Sequence, residues 1–139
     1  MLIENPLNDS SLAFPILECF HIAGFVCGVG TIALVNLRLL GVGLTQKSAA
    51  QLWRDTMPWT LGGLSLVIFS GLLLFSTDPD MYYLNYAFLL KIAFLLLAIG
   101  FYYTAVHRAV AAGKGRVVAC VSLALWALVF FGGIFIGFV

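Results

Sequence analysis

The sequence predicts an all-α integral membrane protein, a four-transmembrane-helix bundle with both termini on the outer face (N-out/C-out). Three observations lead there. Of 139 residues, 63% are hydrophobic and only 9% are charged, against about 25% charged in a typical soluble domain. Four apolar stretches lie between short polar breaks, at about residues 14–44, 57–75, 86–110 and 117–139, and a bilayer core needs about 20 apolar residues per helix. The basic residues are also polarised: Arg38, Lys47, Arg54, Arg108, Lys114 and Arg116, six of the seven, fall at or between the ends of spans 1 to 2 and 3 to 4. Positive charge is retained on the cytoplasmic side, so those ends face inward. Glu4, Asp9, Glu18, Asp78 and Asp80 collect at the other end. The expected location is a bacterial inner membrane, with both termini periplasmic or extracellular.

The stretch before span 1 has no basic leader, and the apolar run after it is very long, so it is read as uncleaved. Asn8, Asp9 or Ser10 can cap a short interfacial turn, and Pro15 suits a first helical turn, where its missing N–H costs nothing. About 30 residues in span 1 would reach roughly 45 Å at 1.5 Å per residue, so this helix must tilt, bend or protrude. Gly24, Gly28 and Thr31 fall on one face of it and read as a close-packing seam. Gly62, Gly63 and Gly71 in span 2, and Gly132, Gly133 and Gly137 in span 4, carry the same meaning. The Gly133-x-x-x-Gly137 spacing suits self-association as well. The breaks Thr45-Gln46-Lys47-Ser48, Ser76-Thr77-Asp78-Pro79-Asp80 and Gly113-Lys114-Gly115-Arg116 are too short for a second domain.

Ionisable residues inside apolar helices are informative, because each costs about 2.5–3.5 kcal/mol at mid-bilayer. His21 lies near the outer end of span 1 and Lys91 near the outer end of span 3. Glu18 sits one turn before His21, so Glu18, His21 and Lys91 form a candidate outer polar cluster, with Asn85, Ser70 and Thr77 as neighbours. The plainer account is that Lys91 snorkels and the other two occupy the headgroup zone. At the inner end, Arg38, Arg108 and His107 with Trp53, Trp59, Tyr102 and Tyr103 read as a basic and aromatic belt. Asn36 is the polar residue there that needs an internal partner.

Two histidines in a helical bundle raise bis-histidine haem ligation. Spans 1 and 3 run in the same direction, however. His107 lies 16 residues beyond Lys91, or about 24 Å at 1.5 Å per residue. One haem b cannot take both histidines within a chain. Pairing of His21 with its own copy, or one histidine with a different second ligand, stays open. Cys19, Cys27 and Cys120 lack zinc-site spacing, and copper(I) ligation by cysteine, Met57 or Met81 shows no cluster. No phosphate loop, nucleophile elbow, paired catalytic carboxylates or nucleic-acid patch is present, so no catalytic residue is assigned and nothing points to an enzyme acting alone.

Span 1 reads His21-Ile-Ala-Gly, then Gly28-Val-Gly30-Thr31, then Leu37-Arg38-Leu39-Leu40-Gly41. Span 2 ends Ser70-Gly71-Leu72-Leu73-Leu74-Phe75, and Asn85-Tyr86-Ala87-Phe88-Leu89-Leu90-Lys91 opens span 3. Together these resemble uncharacterised four-helix bacterial membrane proteins related to the CopD copper-resistance domain, over nearly the whole chain. The resemblance implies copper handling or transport, with His21 at a metal site and Lys91 as a structural or gating partner. The chain departs from that pattern in being one short domain without methionine-rich segments, so a usable site requires oligomerisation. A haem b electron carrier and a noncatalytic small subunit of a larger membrane complex are the two alternatives. Lipid, a homo-oligomer or such a complex are the expected partners, and nucleic acid is not.

Overall fold

A reciprocal cap starts the second span eight residues before the hydropathy does. In the computed structural model, which describes residues 6–9, 11–43 and 46–138, Ser48 Oγ accepts from Gln51 N–H while Gln51 Oε1 accepts from Ser48 N–H. That capping box satisfies two donors that would otherwise be free at a helix start, and α2 runs Ala49–Thr77. The expected start at Met57 is therefore corrected. Arg54 and Asp55 lower the hydropathy of the first two turns without weakening the helix.

The other elements follow from similar local causes. A single 3₁₀ turn, Pro6–Asp9, precedes α1, Ala13–Leu40. α1 stops short of the expected residue 44 because Gly41 adopts φ 80°, its N–H bonding Arg38 O and the Val42 N–H bonding Leu37 O. Only glycine takes that left-handed conformation without penalty. Ser10, Leu44, Thr45, Val139 and Glu4 lie outside the described residues. Asp78 caps a short α3, Pro79–Tyr83, that the sequence did not suggest. Asn85 then accepts from the Ala87 and Phe88 N–H groups to open α4, Tyr86–Phe101. The third span continues through a π-helical turn, Tyr102–Val106, into α5, His107–Ala112. Gly113, at φ 74°, ends it, and α6 runs Arg116–Phe135.

The four spans, Ala13–Leu40, Ala49–Thr77, Tyr86–Ala112 and Arg116–Phe135, are each long and apolar enough to cross a bilayer, yet only 17–28% of their most apolar windows is buried. Large apolar side chains such as Phe69, Leu72 and Leu96 point outward, each more than 60% exposed. Outward apolar surface on this scale suits lipid and not water. The chain is an all-α, multi-pass membrane protein. Within it α1 packs chiefly on α2, α4 on α6, and α1 on α6, around a core that includes Ile32, Val35, Trp53, Ala98, Tyr102, Val106, Ala119 and Trp126.

The α1–α2 contact is made by backbone. A Cβ placed on Gly63 would strike the Gly28 nitrogen and lie 2.7 Å from Gly28 Cα and 2.8 Å from Gly24 O. One on Gly24 would lie 3.0 Å from Gly63 O, and one on Gly28 would lie 3.0 Å from Leu64 N. The helices cross where three glycines leave no side chain between them. One turn further along α1, Thr31 Oγ1 and Thr60 Oγ1 hydrogen bond at 2.6 Å. The expected seam of Gly24, Gly28 and Thr31 thus faces α2. Gly62 is different, with nothing within 4 Å of its Cβ position. Gly63→Val should lower unfolding stability in detergent by about 1–3 kcal/mol, the usual cost of overpacking, or prevent assembly. Gly62→Ala should leave it unchanged. Thermal and detergent-induced unfolding of the two purified variants checks the contrast, and equal stability would remove the seam from this role.

Candidate functional site

The glycine crossing sets what stands opposite His21. His21 lies one turn before Gly24 on α1, and Ser70 lies two turns beyond Gly63 on α2, so the antiparallel contact brings them together. His21 Nδ1 is 2.9 Å from Ser70 Oγ. Gly71 makes room for the ring, since a Cβ there would lie 3.2 Å from His21 Cε1. The Nδ1–Cε1 edge of the imidazole therefore faces α2. Ser70 Oγ is also 2.6 Å from Leu66 O and 3.2 Å from Val67 O. A hydroxyl has one proton, and it is directed to those carbonyls. Ser70 then accepts from His21, which puts the imidazole proton on Nδ1 and leaves Nε2 with a lone pair. The Val67 backbone also stands close to the ring, and Ser70 is the one side-chain hydrogen-bond partner of His21 among the described residues. A ring nitrogen fixed in this way is what a metal-ligating histidine requires.

Lys91 adds to the same end of the bundle from the other helix pair. Its side chain lies along the two adjacent glycines of α6: a Cβ on Gly132 would lie 3.2 Å from Lys91 Cβ, and one on Gly133 would lie 3.4 Å from Lys91 Nζ. Gly132 and Gly133 are thus a trough for this chain, and Gly137 touches only its own helix, 4.0 Å from Ile134 O. Lys91 Nζ has no hydrogen bond or ion pair among the described residues, and its charge reaches the His21 ring. Asn85 Nδ2 donates to Ile136 O at 2.9 Å, tying α4 to α6 just outside the pair. Glu18 does not join them. It is exposed and forms no ion pair with Lys91. Its field falls on the Tyr82 phenol, which burial first, then Glu18 and Asp78, push above its ordinary range. Thr77 stands at the rim, its carbonyl accepting from Asn8 Nδ2 at 3.1 Å.

The opposite, basic end is built differently. Trp53 and Tyr102, expected in an interfacial belt, are buried in the core at 6% and 2% exposure. Their rings stack at 4.6 Å, and Tyr103 and His107 meet Trp53 edge-on at 5.8 and 5.0 Å. Trp59, 65% exposed, lies on the outside of the bundle. His107 and Arg108 are exposed. Arg38 Nε donates to Lys47 O at 2.6 Å, and Lys47 pairs with Asp55 at 2.6 Å. Ser70, beside His21, and Trp53, beside His107, are 17 residues apart on α2, or about 25 Å at 1.5 Å per residue. The two histidines are at opposite ends of the bundle.

Asn36, fully buried, finds its partner on α6, where Nδ2 donates to Ser122 Oγ at 3.0 Å. Its Oδ1, the Trp126 Nε1 and the Tyr103 hydroxyl are buried without partners among the described residues. Ser122, Tyr82 and the Gly132-Gly133 trough were not singled out by their chemistry in the sequence. Ser122 had a signal, as the one polar residue within the apolar run of α6.

Among the described residues, no three of histidine, cysteine, aspartate and glutamate gather to hold a metal ion. Cys19 and Cys120 are exposed, Cys27 Sγ donates to Trp59 O at 3.5 Å, and Met57 and Met81 are 39% and 47% exposed. One imidazole with a lysine ammonium at the same end of the bundle is a poor fit for a bare copper ion, which needs more donors and repels the cation. It fits a haem better, since the porphyrin brings its own nitrogens and its carboxylates suit a lysine. Comparison with protein-family models, curated proteins and solved structures finds no match to this chain.

Proposed function

We propose that this chain is a CopD-like metal-binding protein of a bacterial inner membrane, and that the metal it holds is the iron of a haem b ligated by His21 Nε2. The observation that carries the proposal is the Ser70 contact, which leaves Nε2 as the free lone pair. Lys91 supports it as an unpaired cation whose charge acts on the His21 ring, suited to a propionate carboxylate. Haem iron would supply one-electron exchange; the chain would supply His21 as a ligand, Lys91 as an anchoring charge and a low-dielectric surround. A second copy of the chain would supply a further ligand.

Both termini are assigned to the periplasmic or outer side, because Arg38, Lys47, Arg54, Arg108, Lys114 and Arg116 collect at the other end and positive charge stays cytoplasmic. A C-terminal alkaline phosphatase fusion should be active and a C-terminal fluorescent-protein fusion dark, whereas the reverse pattern would invert the orientation.

An optical spectrum and metal analysis on the same mildly solubilised preparation test the ligand. The expected result is a Soret band with stoichiometric iron, lost in His21→Ala and retained in His107→Ala. Copper without haem would replace the proposal with copper handling between copies of the chain. Neither metal, after haem supplementation during expression, would contradict metal binding altogether and leave a noncatalytic subunit of a larger complex.

A further inference from the structure

On the outward face of the α1–α2 pair, away from the His21 site, Cys27, Pro58, Trp59, Gly62, Gly63 and Leu66 line an open groove of about 430 Å³. Its walls are apolar. Its floor is the glycine crossing, and Gly62 leaves it open, with nothing within 4 Å of where a side chain would begin. Cys27 does not project a free polar group into it, since its thiol is turned onto the Trp59 carbonyl. Dimensions of this order are those of small-molecule sites, about 300–1,000 Å³.

Charge at one end identifies the occupant. Arg54 lies one turn before Pro58, on the side of α2 that carries Pro58 and Gly62 at successive four-residue steps. It is exposed and makes no hydrogen bond or ion pair among the described residues. Arg38 is nearby on α1 through its bond to Lys47 O, and the neighbouring acid, Asp55, is already neutralised by Lys47. A net positive end therefore adjoins an apolar groove whose wall on that side includes the exposed Trp59 ring, 65% accessible. That order, cation, exposed aromatic, apolar trough, matches phosphate, glycerol backbone and acyl chain. Basic pockets between transmembrane helices bind anionic lipid headgroups on this principle.

We infer that the α1–α2 groove is a binding site for one anionic phospholipid, with its phosphate on Arg54 and an acyl chain laid over Gly62. The site is independent of haem binding and of which membrane face the basic end occupies.

The test uses the full chain in mild detergent, equilibrated with mixed micelles of phosphatidylglycerol and phosphatidylcholine in equal amounts, with retained lipid counted by native mass spectrometry. The wild-type protein should retain a single phosphatidylglycerol in preference to phosphatidylcholine. Arg54→Gln should lower phosphatidylglycerol retention about fivefold, the factor equivalent to about 1 kcal/mol per basic residue near a charged headgroup, with phosphatidylcholine unaffected. Gly62→Leu should fill the groove and lower retention of both lipids without changing elution volume. Equal retention of the two lipids by the wild-type protein, or wild-type retention by Arg54→Gln, would overturn the inference. Should Gly62→Leu fail to fold, Arg54→Gln decides alone.

Discussion

The rest of the bundle depends on the approach of two backbones where Gly63 of α2 meets Gly24 and Gly28 of α1. Lipid offers no hydrophobic drive for helix association, because an acyl chain is as apolar as leucine. Attraction must come from dispersion between closely fitted surfaces and from polar contacts that lipid cannot supply. The glycines provide the first, with Cβ positions that would fall within 3.0 Å of the partner backbone. The same crossing aligns the second, placing Thr31 on Thr60 at 2.6 Å toward one end and His21 on Ser70 at 2.9 Å toward the other.

Function and architecture meet in the difference between the bundle's ends. At the basic end, charges are numerous but mostly solvated or paired, as Lys47 and Asp55 are, and the interior is filled by stacked Trp53 and Tyr102. At the His21 end, charges are few and inward: Lys91 lies in its glycine trough without a counter-ion among the described residues, and His21 is held by one edge. A cation kept partly in an apolar bundle is costly. Its retention at the same end as an oriented imidazole, and not in an ion pair with Glu18, is the feature that sets this end apart.

Much of the fold was legible in the sequence because bilayer physics is coarse. Four apolar runs, the basic asymmetry and the glycine spacing in span 1 all survive into the structure. What was hidden depends on angles. Gly62 and Gly63 are adjacent in sequence, but successive residues point about 100° apart on a helix; one is the seam and the other the open groove. The start of α2 was missed because hydropathy averages over Arg54 and Asp55, although Ser48-x-x-Gln51 carries the capping signal. Trp53 and Tyr102 have belt composition, and only their pairing across α2 and the π-helical turn reveals a core role. His21 and Lys91 were legible as ionisable groups inside apolar helices, whereas the tautomer of His21 required the distance from Ser70 to the Leu66 carbonyl.

The glycine crossing presents His21 to Ser70 and thereby leaves Nε2 as the free nitrogen. Solid-state NMR of the haem-free protein in lipid bilayers, with ¹⁵N-labelled histidine and His107→Ala to isolate the signal, tests this directly. The spectrum should show a protonated Nδ1 and a bare Nε2, with the pattern lost in Ser70→Ala. A proton resident on Nε2, or a spectrum indifferent to Ser70→Ala, would contradict it.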